Sequence, residues 1–550
     1  MATALGLQIR PLLVLGLLVG LLALVPILAL AGYSMAPGTA AGLQLGAEGT
    51  NQIGNTLAMV LSVGLAGGLL GTTSGWLTAI CRFRGRRLLR IAQLLPLACP
   101  AYLLAATAID LGSRHGLRIH GLGWAVGLLT LSTYSYVFLL ATDQFSGAGR
   151  RQLEACRSLG VGPWGSFIRV ALPLALPAIG AGVALSGMEV VNELGAVELL
   201  GVPSLSGGIL QRWQGEGDPA GAVGLALMAL LIVSVLVACE RALRRRSRRW
   251  SLGGTGEAGL TWPLHGWRAL AAQAITAIPP LLSLGLPLSW MLLSRDQLRA
   301  DGFAELTALS LRSLLLGATA ALVTVAAGLV LALARRWLTL PLLRPLTLLA
   351  GMGYAVPGAV LALGLMLIGA PLGLTPLPLL LWGYGDRFLA VSKQGLDAAF
   401  ERIPPSLDEA ASGLGCGWWQ VLQRVHLPLL AGPLLVGGLL VFVDGVTELP
   451  LTLALRPFDF DTLSVRVFQY ASDERVGAAL LPALLILILG MAAALALVPR
   501  LETLEVLTCR SPHPRRGSAG APARPHRAHR DRAADQSPPP PDAGRKSPAG

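Results

Sequence analysis

Long apolar runs set the strongest limit on what this chain can become. They lie near 12–33, 55–80, 88–111, 121–143, 173–193 and 219–240, then near 268–293, 311–334, 345–368, 376–392, 428–448 and 478–499. About 20 apolar residues at the helical rise of about 1.5 Å cross a hydrocarbon core about 30 Å thick. The expected fold is an all-α integral membrane protein of about twelve transmembrane helices, six on each side of a polar linker. The tenth run is interrupted by Asp386 and Arg387. The first run contains Ala29-Leu30-Ala31, a possible cleavage signal, but its apolar part is too long for a secretory leader, so the run is expected to stay in the chain.

Only 13% of the 550 residues are charged, against about 25% in soluble domains. The net charge of +13 comes almost entirely from Arg, because Lys stands only at Lys393 and Lys546. The arginines cluster after alternate runs: Arg82 to Arg90, then Arg150, Arg151 and Arg157, then Arg241 to Arg249, then Arg335, Arg336 and Arg344. Residues 34–54 hold no Lys or Arg, and residues 294–309 balance Arg295 and Arg299 with Asp296, Asp301 and Glu305. Basic clusters on one side mark cytoplasmic loops, so both termini are expected in the cytoplasm. The same distribution argues for membrane topology and against a nucleic-acid partner.

One polar stretch occurs twice. EACRSLGVGPWGSFIRVALP runs from Glu154 to Pro173, and EAASGLGCGWWQVLQRVHLP from Glu409 to Pro428. A shift of 255 residues carries Glu154, Ala155, Gly160, Leu172 and Pro173 onto Glu409, Ala410, Gly415, Leu427 and Pro428 without a gap. Glu409, Ala410 and Ala411 start a short helix, and Gly415 can end it in the left-handed conformation. Both copies resemble the EAA loop of bacterial ABC importer permeases, with Cys156 at the second Ala of the first copy and Val170 and Val425 where the pattern has Ile. The resemblance implies a cytoplasmic coupling helix in each copy that docks on an ATPase subunit.

The duplication extends further. Pro100 matches Pro357, and Asn55-Thr56-Leu57 resembles Arg312-Ser313-Leu314, at a shift of 257 residues. The chain therefore reads as two tandem six-helix permease repeats, 1–250 and 251–500, one chain supplying both halves of a pore. Residues 501–550 lack bulky apolar side chains after Ser511 and are expected to form a disordered basic cytoplasmic tail. The six cysteines form no CxxC pair, and the scattered histidines, His115 and His120 included, form no metal pattern. No Walker A motif is present, because neither lysine follows the required glycines. Leu205-Ser206-Gly207-Gly208 looks like part of an ATPase signature but falls in a loop placed outside the cytoplasm. The chain is read as a pore and not an enzyme, with no cofactor of its own and ATP used by a separate partner.

MEVVNELGAVELLGVP, VDGVTELPLTLALRPFDFDTLSVRVFQYASDERVGAA and PPSLDEAASGLG resemble the fused permeases of ferric-iron importers over roughly residues 1–500. That likeness implies an inner-membrane system with a periplasmic binding protein and two copies of an ABC ATPase. Thiamine importer permeases share the layout and are the near alternative. A secondary transporter also uses repeats and buried acids, but would not carry two EAA loops. The cargo path is sought among the acids. Glu189 matches Asp444, and Glu193 matches Glu448, so each half carries a pair at i, i+4 on one helix face. Twenty residues beyond Pro173 correspond to about 30 Å of helix, which predicts Glu193 near the outer boundary and Glu189 about 6 Å deeper. Four carboxylates would ring the outer mouth as a weak, hard-oxygen surface for a multivalent cation.

Overall fold

The computed structural model describes residues 10–36, 45–147, 150–250, 262–295, 303–338, 340–341, 343–475 and 477–492. The tail expected from Ser511 lies outside them. Met1–Cys509 form one compact unit, to which all the described residues belong.

In the first half, α1 (Arg10–Leu22) and α2 (Val25–Ser34) make a span bent by 44°. α3 (Gly46–Ile80) is straight and long. α4 (Arg86–Ala92) and α5 (Ala101–Arg114) are the arms of a second broken span, bent by 93°. Then come α6 (Leu122–Gly147), the short α7 (Arg150–Ser158) and α8 (Pro163–Ser166), and α9 (Leu172–Asn192). Two small helices, α10 (Gly195–Leu199) and α11 (Leu205–Leu210), precede α12 (Pro219–Trp250).

The second half repeats the order. It runs α13 (Trp267–Leu293), α14 (Phe303–Trp337), α15 (Leu343–Ala350) and α16 (Gly358–Gly369), the last two flanking a 116° bend. α17 (Pro376–Phe400), α18 (Ser406–Gly413), α19 (Trp418–Val421) and α20 (Leu427–Thr447) follow, with α21 (Pro450–Leu455), α22 (Leu463–Ser472) and α23 (Gly477–Ala492) at the end.

The two sharp bends have one cause. Pro100 and Pro357 force the residue before them out of the helical region, and Cys99 and Val356 are accordingly extended, at ψ 109° and 125°. The expected straight crossings at 88–111 and 345–368 are therefore broken helices. Among the described residues, seven helices are long and apolar enough to cross a membrane, or up to ten if each bent pair is one span. α17 and the shorter apolar α23 bring the apolar segments to the expected twelve. In α17, Asp386 and Arg387 are each only 4% exposed, so the charges that interrupt the tenth run point into the protein.

α3 packs on α6 and α9, and α14 packs on α17 and α20 in the same way. Outward, Leu61, Leu65 and Leu69 lie a turn apart on α3 at 69–79% exposure, a face suited to lipid. Inward, α3 meets α6 at Gly71, where an added Cβ would come within 2.8 Å of the Tyr134 carbonyl and the Phe138 nitrogen. Close approach at small residues is how helices gain packing energy inside a membrane. We expect Gly71→Val to force the two backbones apart at about 1–3 kcal/mol. A thermal unfolding midpoint equal to wild type in detergent would disprove this.

The first helix of each half packs on the other half. α1 lies against α14 and α15, and α2 against α16, where the Pro26 carbonyl sits so close to Gly364 that a Cβ there would be 2.4 Å away. Leu12 and Leu30 are thereby buried, in the segment expected to be retained. α13 lies against α4 and α5; Trp290 donates to Asp110 at 3.0 Å and Gln273 to the Arg84 carbonyl at 2.9 Å. A two-residue parallel pairing of β1 (Cys81–Arg82) with β2 (Trp262–Pro263) ties the start of the second half to the end of α3.

Candidate coupling loops and translocation cavity

The duplicated loops share one backbone design. α7 and α18 end at Gly160 and Gly415, which adopt φ of +74° and +81°. The next residue closes each end: Val161 N–H donates to the Cys156 carbonyl at 2.9 Å, and Cys416 N–H to the Ala411 carbonyl at 3.1 Å. This is the glycine-dependent helix stop in which the N–H two residues past the cap reaches back five residues. After α8 and α19 the chain widens into single π turns, Phe167–Ala171 and Leu422–His426. Pro173 and Pro428 explain these turns, since each lacks the N–H that would bond Arg169 or Arg424 and its ring crowds that carbonyl. Glu154, Ala155, Glu409, Ala410, Pro173 and Pro428 are exposed, while Ala411, Leu172 and Leu427 are half-buried.

Each loop also shows large apolar side chains to solvent at matching positions. Leu159 and Leu414 are 80% and 86% exposed, and Trp164 and Trp419 are more than half exposed. Such residues together on a polar loop mark a surface that a partner covers.

The loops are anchored differently. In the second, Asp408 accepts from Arg336 Nε at 2.7 Å and Trp337 Nε1 at 3.0 Å, and the buried His426 Nε2 lies 3.0 Å from its other oxygen. Arg336 also donates to the carbonyls of Phe400 and Ile403. Partial burial pushes the Asp408 carboxyl up, but the surrounding donors from His426, Arg336 and Trp337 outweigh it and hold the group down at about 2. In the first loop Leu153 and Ala171 occupy the places of Asp408 and His426. There Phe167 instead packs on Trp76 at 5.0 Å between ring centroids, and Trp262 stacks beyond at 6.1 Å.

Because the Asp408 pKa is lowered on folding, its stabilisation is complete above about pH 4 and is lost as pH falls toward about 2. Asp408→Asn is expected to loosen the second loop by about 1 kcal/mol, discounted for the solvent beside the group, and to weaken retention of the ATPase severalfold. Equal retention by the variant and wild type would contradict the assignment. The sequence signal for this cluster was slight: an acid one residue before Glu409 and a His two residues before Pro428.

All four acids sought as the path line one cavity of about 140 Å³ between the two halves. Glu189 and Asp444 project from the last turns of α9 and α20. Glu193 and Glu448 stand just past those helices, in extended backbone at ψ 128° and 124°. The expected i, i+4 pairs on one helix face are thus corrected: the second acid of each pair has left the helix. Glu193 accepts from Ala196 N–H at 2.8 Å and Glu448 from Leu451 N–H at 3.2 Å, which caps α10 and α21. The cavity also corrects the depth, because its wall includes Thr133 and Tyr136 halfway along α6 and Arg387 halfway along α17. The acids sit at the middle of those helices and not at an outer rim.

Arg387 was not among the residues sought. Its Nε donates to Glu448 Oε2 at 3.0 Å and its Nη1 to the Val356 carbonyl at 3.0 Å, with both side chains buried. Across the halves, Asn192 Oδ1 accepts from Gly358 N–H at 2.8 Å, at the start of α16. Glu189 and Asp444 have no ion pair or side-chain hydrogen bond among the described residues. The cavity thus gathers four carboxyl groups around one guanidinium. Among the described residues no three His, Cys, Asp or Glu side chains converge closely enough to hold a metal ion.

Residues 5–249 match the model of the family described as binding-protein-dependent transport system inner membrane component. The chain is 26% identical to the Fe(3+)-transport system permease protein FbpB 2 of Haemophilus influenzae over 444 residues, 78% of this chain and 85% of that protein. It is 31% identical to the sulfate transport system permease protein CysT of Escherichia coli over 153 residues, 26% of this chain and 55% of that protein. To the molybdenum transport system permease protein ModB of Escherichia coli it is 27% identical over 202 residues, 32% of this chain and 86% of that protein.

Proposed function

We propose that this chain, whose first half belongs to the binding-protein-dependent transport system inner membrane components, is the whole pore of an importer that carries ferric iron. The observation that carries the reading is the cavity lined by Glu189, Glu193, Asp444 and Glu448, with Arg387 as its one buried cation among the described residues. Sulfate and molybdate are oxyanions, and four carboxylates around a narrow passage oppose them; a trivalent cation is drawn in. The relative matched over most of the chain is named for Fe(3+) transport, whereas the matches to sulfate and molybdenum permeases cover 24–36% of the chain.

In this reading the Glu154–Pro173 and Glu409–Pro428 loops each dock on one of two ABC ATPase copies, which bind and hydrolyse the ATP. A periplasmic binding protein delivers the ion at the opposite face. The Arg clusters favour a cytoplasmic side for both termini at a bacterial inner membrane. The pore itself performs no covalent chemistry and binds no cofactor.

The test is competitive uptake by proteoliposomes holding this chain, its ATPase and its binding protein. Iron uptake that needs ATP and exceeds sulfate, molybdate and thiamine uptake is the expected result. ATP-driven sulfate or molybdate uptake with no iron uptake would overturn the cation reading, and thiamine uptake alone would replace the cargo.

A further inference from the structure

We propose that Arg387 is a tethered counter-cation: with no cargo in the path its guanidinium occupies the carboxylate cavity, bars it to other cations, and gives way to the cargo. The proposal rests on the cation reading of the cavity. It starts from an asymmetry between the halves. The acid pair occurs twice, but the cation occurs once, because the 255-residue shift that superposes the acids places Ser132 opposite Arg387. Ser132 also lines the cavity. A charge needed only to neutralise its own half would have an equivalent in the other.

The contacts fit a removable plug. Arg387 reaches Glu448 through Nε at 3.0 Å and holds the Val356 carbonyl through Nη1 at 3.0 Å. One side chain thus straps the end of α20 to the break that precedes α16. Two more carboxylates, Glu189 and Asp444, face the same cavity. A guanidinium keeps its proton under all physiological conditions, so its charge leaves the passage only when the side chain moves. It also spreads its charge over a planar fork, whereas a trivalent ion concentrates three charges on the carboxylates it meets. The arriving ion therefore competes for Glu448. Once released, Arg387 also lets go of Val356, and the bend at Pro357 loses one of its cross-braces, another being Asn192 on Gly358.

The alternative is a purely structural ion pair, in which case removing its charge would change stability and leave the barrier to ions unchanged. Thallous ion influx into dye-loaded liposomes holding the permease and ATPase, without ATP, separates the two. The wild-type complex and Arg387→Lys are expected to stay closed, whereas Arg387→Gln admits the ion at least tenfold faster and leaves sulfate permeation low. The double variant Arg387→Gln with Glu448→Gln removes both members of that ion pair together, and it should leak similarly if the single variant fails to assemble. If both assembled variants hold thallous ion as tightly as wild type, Arg387 is not the plug, whatever the cargo. If the leak appears but the wild type carries no iron, the plug stands and the cargo assignment falls. ATP-driven sulfate uptake by wild type that Arg387→Gln abolishes without a cation leak would make Arg387 an anion contact and overturn the proposal.

Discussion

Replacing Gly160 and Gly415 together by valine is expected to abolish uptake while the permease still reaches the membrane. Both glycines sit at positive φ, and nothing lies within 4 Å of where a Cβ would be, so the whole penalty is in the backbone. A non-glycine residue there costs roughly 1–2 kcal/mol per site, and more for a β-branched one. The cheapest relief is to abandon the left-handed turn, which redirects α8 and α19 and carries Trp164 and Trp419 away from the surface they share with Leu159 and Leu414. Two such sites together are expected to reduce ATP-coupled transport to less than about a tenth. Asparagine tolerates this conformation better, so Gly160→Asn with Gly415→Asn should retain most uptake. Normal uptake by the double valine variant would show that the turn is not needed for coupling.

The second large effect is expected in the cavity. Glu189→Gln with Asp444→Asn removes two carboxylates and breaks no ion pair, since neither acid has one among the described residues. Assembly with the ATPase should therefore be unchanged. Iron uptake is expected to fall roughly tenfold or more, equivalent to about 1.4 kcal/mol or more in the barrier to passage. Glu448→Gln would be a poorer probe, because it strands a buried guanidinium at a cost of several kcal/mol. Iron uptake at the wild-type rate in the Glu189 and Asp444 double variant would remove these acids from the path.

The paired loops and the paired acids stand out in the sequence because each is written twice in the chain, and a shift of 255 residues brings the copies into register. Depth was less legible. Counting from Pro173 treats the proline as the membrane edge, but the helical segment that includes α9 begins at Pro163 and ends at Asn192. The acids come to rest beside the middle of α6 and α17, whose side chains share their cavity. Arg387 escaped notice because, on the line, a charge in an apolar run reads as damage to the span; only burial shows it turned toward Glu448. The loop anchors differ between the halves for a similar reason. Asp408, His426, Arg336 and Trp337 are far apart in the chain and occur in one half, so no repeat points to them.

The exchange of first helices between the halves bears on how the protein is made. α1 and α2 leave the ribosome first, yet the surfaces that bury Leu12, Leu30 and Pro26 belong to α14, α15 and α16, more than 300 residues downstream of Leu12 in the case of α16. At synthesis rates of about 5–20 residues per second, this first bent span waits roughly a quarter of a minute to a minute in the bilayer without its partner. Over that interval the first half is an unfinished bundle with an apolar face still open where α13 will lie. Contacts of such long sequence separation slow assembly, and they make the nascent first half dependent on whatever insertion machinery shields it. A chain interrupted within the linker would leave two fragments, each lacking the arm that completes it.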